Sequence, residues 1–307
     1  MTAPVLFAVY ATAAGMLAPA MLRGPWAARS PQLAMTLWLV LPASWMAAIV
    51  LAILAATAAL PLTWPGSRQG DGQVPLAGQA VPGARVIAIA GFLVAAAVVL
   101  RAAGCVACEL RRSQRDRREH AALVAATGRP GDEPDVVIVD HDAPAVYCLP
   151  CGRHQIVISA GALAALTPAQ LRAVLAHERA HLRRHHHVIL ALATALARAF
   201  PRVPLLSQAQ PQLAVLAEMA ADDAAIRRHR RDDLAAALIA LATTGARPPA
   251  LAASGPEAIA RLQRILAAQQ QPRIGLARLA AIAGLIPPVF IACLPLLLAA
   301  CDMSSHH

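Results

Sequence analysis

Four long apolar stretches limit what this chain can fold into. A membrane crossing needs about 20 apolar residues, and residues 3–22, 33–62, 86–107 and 279–300 each supply them. No basic residues precede the first stretch, so it reads as a true span and not as a cleaved signal peptide. The second is longer than required, which implies tilt or extension past the bilayer. The third is broken only by Arg101, whose apolar stem lets its charge reach the headgroups. The fourth holds Pro287 and Pro288, a signal for a kink. Composition agrees: 14% of residues are charged, against about 25% in soluble domains.

Charge placement suggests an orientation. The net charge of +10 comes from arginine alone, because the chain has no lysine. That absence, with abundant Ala, Arg and Pro, suits a GC-rich genome. Two Tyr and four Phe offer little stacking surface and no nucleic-acid motif is present, so no direct nucleic-acid binding is expected. Arg23 and Arg29 follow the first stretch, "RRSQRDRREH" (Arg111 to His120) follows the third, and Arg273 and Arg278 precede the fourth. Positive residues favour the cytoplasmic side. The expected arrangement is a multi-pass protein of the bacterial plasma membrane, with both termini outside and residues 23–32 and 110–276 in the cytoplasm. The expected units are three transmembrane helices (1–109), a cytoplasmic domain (110–276), and a fourth transmembrane helix with a short extracytoplasmic tail (277–307). Fourteen of the 17 acidic residues fall between Asp116 and Glu257, inside that domain.

Within the domain, "AALVAATG" after His120 suggests a short helix. Val136 to Val139 and Ala145 to Cys148 suggest strands joined by a turn at Asp142–Pro144. "HQIVISAG" suggests a third, with Ile156 and Ile158 alternating against Val157 and Ser159. Thr167, Pro168 and Gln170 form a capping-box signature that opens a helix. "TTGARPPALAASGPE" (Thr243 to Glu257) reads as a loop. "CVAC" and "CLPC" give two C-x-x-C pairs, a spacing that would suit structural zinc. Cys105 and Cys108 close an apolar segment, however, so these cysteines read as small apolar residues.

The capped helix carries "HERAH". His177 and His181 lie four apart, on one helical face, with Glu178 beside the first. H-E-x-x-H on a helix places two imidazoles on one zinc ion, with the glutamate as general base. The third ligand lies elsewhere. His187 stands at the metzincin offset, but Arg184 replaces the glycine that would turn the chain back. His185 stays near the same face, yet a straight helix puts it about 12 Å from His177. His185, His186 and His187 therefore read as a solvent-facing basic helix end. "EMAAD" offers a better set: Glu218 as zinc ligand, with Asp222 four residues on to hold the far nitrogen of a ligand histidine. The alternative is a charged outer stripe that includes Asp223.

H-E-x-x-H followed about forty residues later by E-x-x-A-D resembles the membrane gluzincins. Three spans before the domain and one after it resemble most the BlaR/MecR-type membrane zinc metallopeptidases, related to the HtpX proteases. The resemblance extends through "AVYCLP" and "IVISAGALAALTPAQLRAVLAHERAH". It implies a mainly α membrane protein with a cytoplasmic α+β zinc protease domain and a small sheet. It implies His177, His181 and Glu218 as Zn2+ ligands, Glu178 as base and Asp222 as the partner behind a ligand. It also implies that the strand Gln155, Ile156, Val157, Ile158 and Ser159 is an edge holding extended peptide. The antibiotic-sensing members carry a penicillin-binding domain after the last span. This chain stops at His307, so β-lactam sensing by that route is not expected.

The implied activity is hydrolysis of peptide bonds. Arg227 and His229 are candidates to stabilise the oxyanion; "RRHRRDD" around them otherwise reads as a solvated turn. Cleavage inside the bilayer is disfavoured, because the active helix carries Arg172, Glu178, Arg179, Arg183 and Arg184, at about 2.5–3.5 kcal/mol per buried charge. Residues 188–200 are apolar but too short to span, which suggests buried core or membrane contact. The expected substrate is a protein or peptide, such as a winged-helix repressor. Membrane-protein quality control and a catalytically silent zinc-bound scaffold or sensor are the competing readings.

Overall fold

The computed structural model of the protein describes residues 2–59, 83–152, 154–243 and 255–267. The expected fourth span, with Pro287, Pro288, Cys293 and Cys301, lies outside the described residues. Among the described residues, three helices are long and apolar enough to cross a membrane: α1 (Thr2–Leu22), α3 (Pro31–Ala59) and α4 (Ala84–Thr127). The short α2 (Pro25–Arg29) links α1 to α3.

Alanines on facing surfaces let α1 and α3 pack closely, the usual device where lipid supplies no hydrophobic drive between helices. Ala11, Ala14 and Ala18 of α1 are buried with Ala34, Trp38 and Ala48 of α3. Tyr10 and Ser44 share a hydrogen bond of 2.6 Å across the pair. The opposite face of α1 exposes Val5, Val9, Met16 and Leu17. No proline interrupts α4, so it runs unbroken through residue 109. The expected short helix after His120 is its last turns.

A four-stranded sheet follows. It comprises β1 (Gly128–Pro130), β2 (Val136–Val139), β3 (Val146–Leu149) and β4 (Gln155–Ser159), in the order β1-β2-β4-β3. β2 and β4 run parallel, while β1 and β3 are antiparallel to their neighbours. β1 was not expected: Gly-Arg-Pro has no alternation, and its proline is tolerated at a sheet edge.

The expectation that Gln155–Ser159 forms an edge is overturned. β4 pairs with β2 on one side and β3 on the other. The apolar run Ile156-Val157-Ile158 reflects a separate property, that both faces of the sheet are covered at this strand. Ile156 and Ile158 pack with Val174 and Leu175 on one face; Val157 packs with Val124 of α4 on the other. Among the described residues, the outer strand on the α6 side of the sheet is β3.

The helical remainder comprises α5 (Ala160–Ala165), α6 (Pro168–Arg183), α7 (His186–Ala199), α8 (Pro204–Ser207), α9 (Ala209–Ala225), α10 (Arg231–Thr243) and α11 (Gly255–Ala267). The capping box of α6 is present in both directions, Thr167 with Gln170. Gly255 to Glu257, expected in a loop, begin α11. The hairpin α7–α8–α9 is inserted among the apolar helices. Leu205, Leu206 and Leu213 share one core with Phe7, Trp38 and Trp45. Phe200 meets Trp45 edge to face at 5.6 Å. Arg101 does not reach toward headgroups; its Nε donates to the Ala199 carbonyl at 2.7 Å, one of the unpaired carbonyls at the end of α7.

Candidate metal centre

The side chains of His177, His181 and Glu218 converge. His177 Nε2 and His181 Nε2 stand 3.1 Å apart. Glu218 places Oε2 3.5 Å from the first and Oε1 3.4 Å from the second. Ligand atoms around a tetrahedral zinc at 2.0–2.1 Å are separated by about 3.3 Å. The imidazole pair is close to that spacing, and the carboxylate approaches it with a different oxygen toward each ring; one ligand atom from each of the three residues lies within 4.8 Å of the others. No other group of metal-ligating side chains comes together among the described residues, so the C-x-x-C pairs do not form a site there.

Two helices build the group. The four-residue spacing on α6 sets the histidine pair, and α9 lies across α6 to bring Glu218 from the other side. Asp222, one turn further along α9, is fully buried and lies 3.0 Å from His177 Nδ1. Glu178 points toward the sheet: Cys148 N of β3 donates to its Oε2 at 3.0 Å. Arg179, on the outer side, holds Asp135 at 2.8 and 2.7 Å and so ties α6 to the start of β2.

Sequence reasoning missed Arg261. It comes from α11, is buried, and binds both acids of α9: Asp222 Oδ2 and Oδ1 at 2.9 and 2.8 Å, and Glu218 Oε2 at 2.8 Å. Nothing local in "EAIARLQRIL" marks it. Arg261 and Arg264 on an amphipathic helix both look like surface residues until the helix is packed.

The histidine triplet also departs from expectation. His185 adopts the left-handed conformation, φ 52° and ψ 40°, and ends α6 without a glycine. The chain therefore turns where a straight continuation was expected. Arg184 anchors that turn by donating to the Ala220 carbonyl at 2.7 Å. His186 is buried, 2% exposed, with its Nδ1 2.9 Å from His181 Nδ1. His185 and His187 turn away, His185 toward His154. Arg227 is exposed on the turn beyond α9, nine residues past Glu218 and outside the helix that carries it. His229 lies on the same turn.

Burial and charge shift the site's acidities in opposite directions. Burial raises the Glu178 carboxyl to about 7, against the pull of His177. Burial works against a charged His177, but Asp222 and then Glu218 outweigh it and raise its imidazole to about 10. Burial and then the neighbouring His177 lower His181 to about 3. Burial disfavours a charged Glu218, yet His177 and Arg261 hold it down to about 2. The ring pair thus draws in one positive charge, which a bound cation would replace.

A family model described as BlaR1 peptidase M56 matches residues 5–266. The chain belongs to this family. Membership makes it a membrane metallopeptidase of the BlaR1/MecR type, acting on protein or peptide substrates. The match spans the apolar helices as well as the sheet and the His–His–Glu group, so it covers nearly all of the described fold. No curated protein and no solved structure matched the chain.

Proposed function

We propose that this M56 peptidase is a zinc metalloendopeptidase that cleaves a transcriptional repressor on the cytoplasmic side of the plasma membrane. The observation that carries the zinc reading is the triangle of His177 Nε2, His181 Nε2 and the Glu218 carboxylate, at 3.1 to 3.5 Å. Two imidazoles and a carboxylate are a ligand set of catalytic zinc, with one position left open. Zinc held there would polarise a peptide carbonyl and acidify water.

The chain's own residues supply the rest. Glu178 takes a proton from the attacking water and returns it to the leaving amine. Its anchorage to Cys148 N aims it, and burial, by raising it to about 7, makes it basic enough for proton exchange near neutral pH. Asp222 holds His177 by its far nitrogen, and Arg261 holds Asp222.

Extended substrate pairs with β3. Ser159 N donates to the Ala145 carbonyl, so odd-numbered residues of this segment face β4. The backbone of Val146 and Cys148 then faces outward, on the side of Glu178. A peptide laid along that edge passes the metal position. Repressor cleavage follows the resemblance to the BlaR/MecR type, and quality control or a silent scaffold is what the test below separates from it.

The test uses purified full-length protein. Zinc content is measured beside cleavage of a candidate winged-helix repressor and of casein. The expected outcome is one zinc per chain, repressor cleavage, and Glu178→Gln that keeps zinc but loses about 10²–10⁴-fold in rate. Unchanged cleavage by Glu178→Gln would sink the mechanism. Casein cleavage with an intact repressor would favour quality control, and zinc without any cleavage a scaffold.

A further inference from the structure

The geometry points to His186 as a positioning residue for the zinc site: its Nδ1 accepts the proton of His181 Nδ1 and so locks His181 in the tautomer that can bind metal. The inference rests on the zinc reading above and adds a role for a residue outside the ligand set.

The argument is one of proton placement. The two Nδ1 atoms stand 2.9 Å apart, with the rings perpendicular and their centroids 4.7 Å apart. Two neutral imidazoles at that distance share one N–H. If His186 donated, the His181 proton would sit on Nε2, aimed at His177 Nε2 and Glu218, and ligation would be blocked. If His181 donates, its Nε2 lone pair faces the other two ligand atoms. Only the second arrangement is compatible with metal. It leaves the His186 proton on Nε2, and that atom is buried with no hydrogen-bond partner among the described residues. A buried unpaired donor in a native structure calls for an explanation. Here the other face of the same ring explains it: the ring is held in place by its use at His181.

Backbone geometry supports the same role. On a continuous helix, a residue five beyond His181 would lie about 140° around the axis and could not touch it. The left-handed turn at His185, anchored by Arg184 on Ala220, brings His186 back against His181. The two ligand histidines are thus held differently, His177 by the carboxylate of Asp222 and His181 by a neutral ring. Partners on the far nitrogen of ligand histidines typically set metal affinity within a factor of about 10–100.

The experiment compares full-length protein with His186→Leu, His186→Asn and His186→Asp. Zinc affinity is measured by competition with a chromophoric chelator, and thermal unfolding is followed on the metal-free proteins. Leucine removes the acceptor and fills the space; it should weaken zinc by about 10- to 100-fold while metal-free unfolding stays at or above the parent temperature. Asparagine or aspartate restores an acceptor, and at least one of them should recover most of the affinity. Parent-like zinc affinity in His186→Leu overturns the proposal. So does a lost affinity that neither acceptor variant recovers while both unfold like the parent. If the parent itself takes up no zinc, the zinc-site reading fails instead, and the two failures are told apart.

Discussion

Arg261 and Asp222 form a buried two-point ion pair, Nε to Oδ2 at 2.9 Å and Nη2 to Oδ1 at 2.8 Å. The same guanidinium reaches Glu218 Oε2 at 2.8 Å through Nη1. One cation therefore faces both acids of α9 and offsets one of their two charges, and His177 faces the same two carboxylates.

Removing that cation should matter most when no metal is bound. Breaking a buried pair by deleting one partner costs about 3–5 kcal/mol. Arg261→Met should destabilise the metal-free protein by that order, and the zinc-loaded protein by less, because zinc supplies positive charge beside Glu218. Thermal unfolding with chelator and with zinc checks this. Equal losses in both states would contradict it.

Asp222→Asn keeps the shape but removes the charge that faces His177 Nδ1 and Arg261. Zinc affinity should fall by about 10- to 100-fold. A chelator competition assay measures it, and an unchanged affinity would remove Asp222 from the site.

The stability of the metal-free site should peak near pH 6.5–7. His177 is raised in the fold to about 10, so its contribution is full below its unfolded value of about 6.5 and is lost as pH rises through about 10. His181 is lowered to about 3 by burial and then His177, and His186 to about 4 by burial and then Arg184. Their contributions are present above about 6.5 and are lost as pH falls toward those values. Glu178, raised to about 7, opposes them partly between its unfolded value of about 4.3 and 7. Zinc binding needs a deprotonated His177, so zinc should abolish the alkaline decline and steepen the acid one. A pH series of unfolding temperatures, with zinc and with chelator, reads both limbs.

Gly161→Ala should destabilise the junction between β4 and α5. Gly161 N donates to the His141 carbonyl at 3.0 Å, and an added Cβ would stand 1.8 Å from the Asp142 oxygen. That oxygen is backbone and cannot swing aside. A loss of about 1–3 kcal/mol is expected in denaturant unfolding; parent-like stability would show that the 141–143 turn yields freely.

What the sequence by itself determined is what depends on neighbours along the chain. The apolar lengths of α1, α3 and α4 are counts. The Thr167 cap and the His177–His181 spacing follow from helical periodicity within one α6. Glu218 and Asp222 were legible for the same reason, as acids one turn apart on an apolar helix. Relations across the fold were decided only by the tertiary structure. Pairing of β4 on both sides depends on β2 and β3, so the alternation in "QIVIS" could not show which strand is the edge. His186 reaches His181 because the backbone turns at His185, a non-glycine in a conformation its sequence does not announce. Arg261 joins the site because α11 packs against α9, 39 residues beyond Asp222. The difference is physical: short-range geometry repeats with every turn of helix, whereas strand order, reversals of direction and buried charge pairs exist only once distant segments share a core.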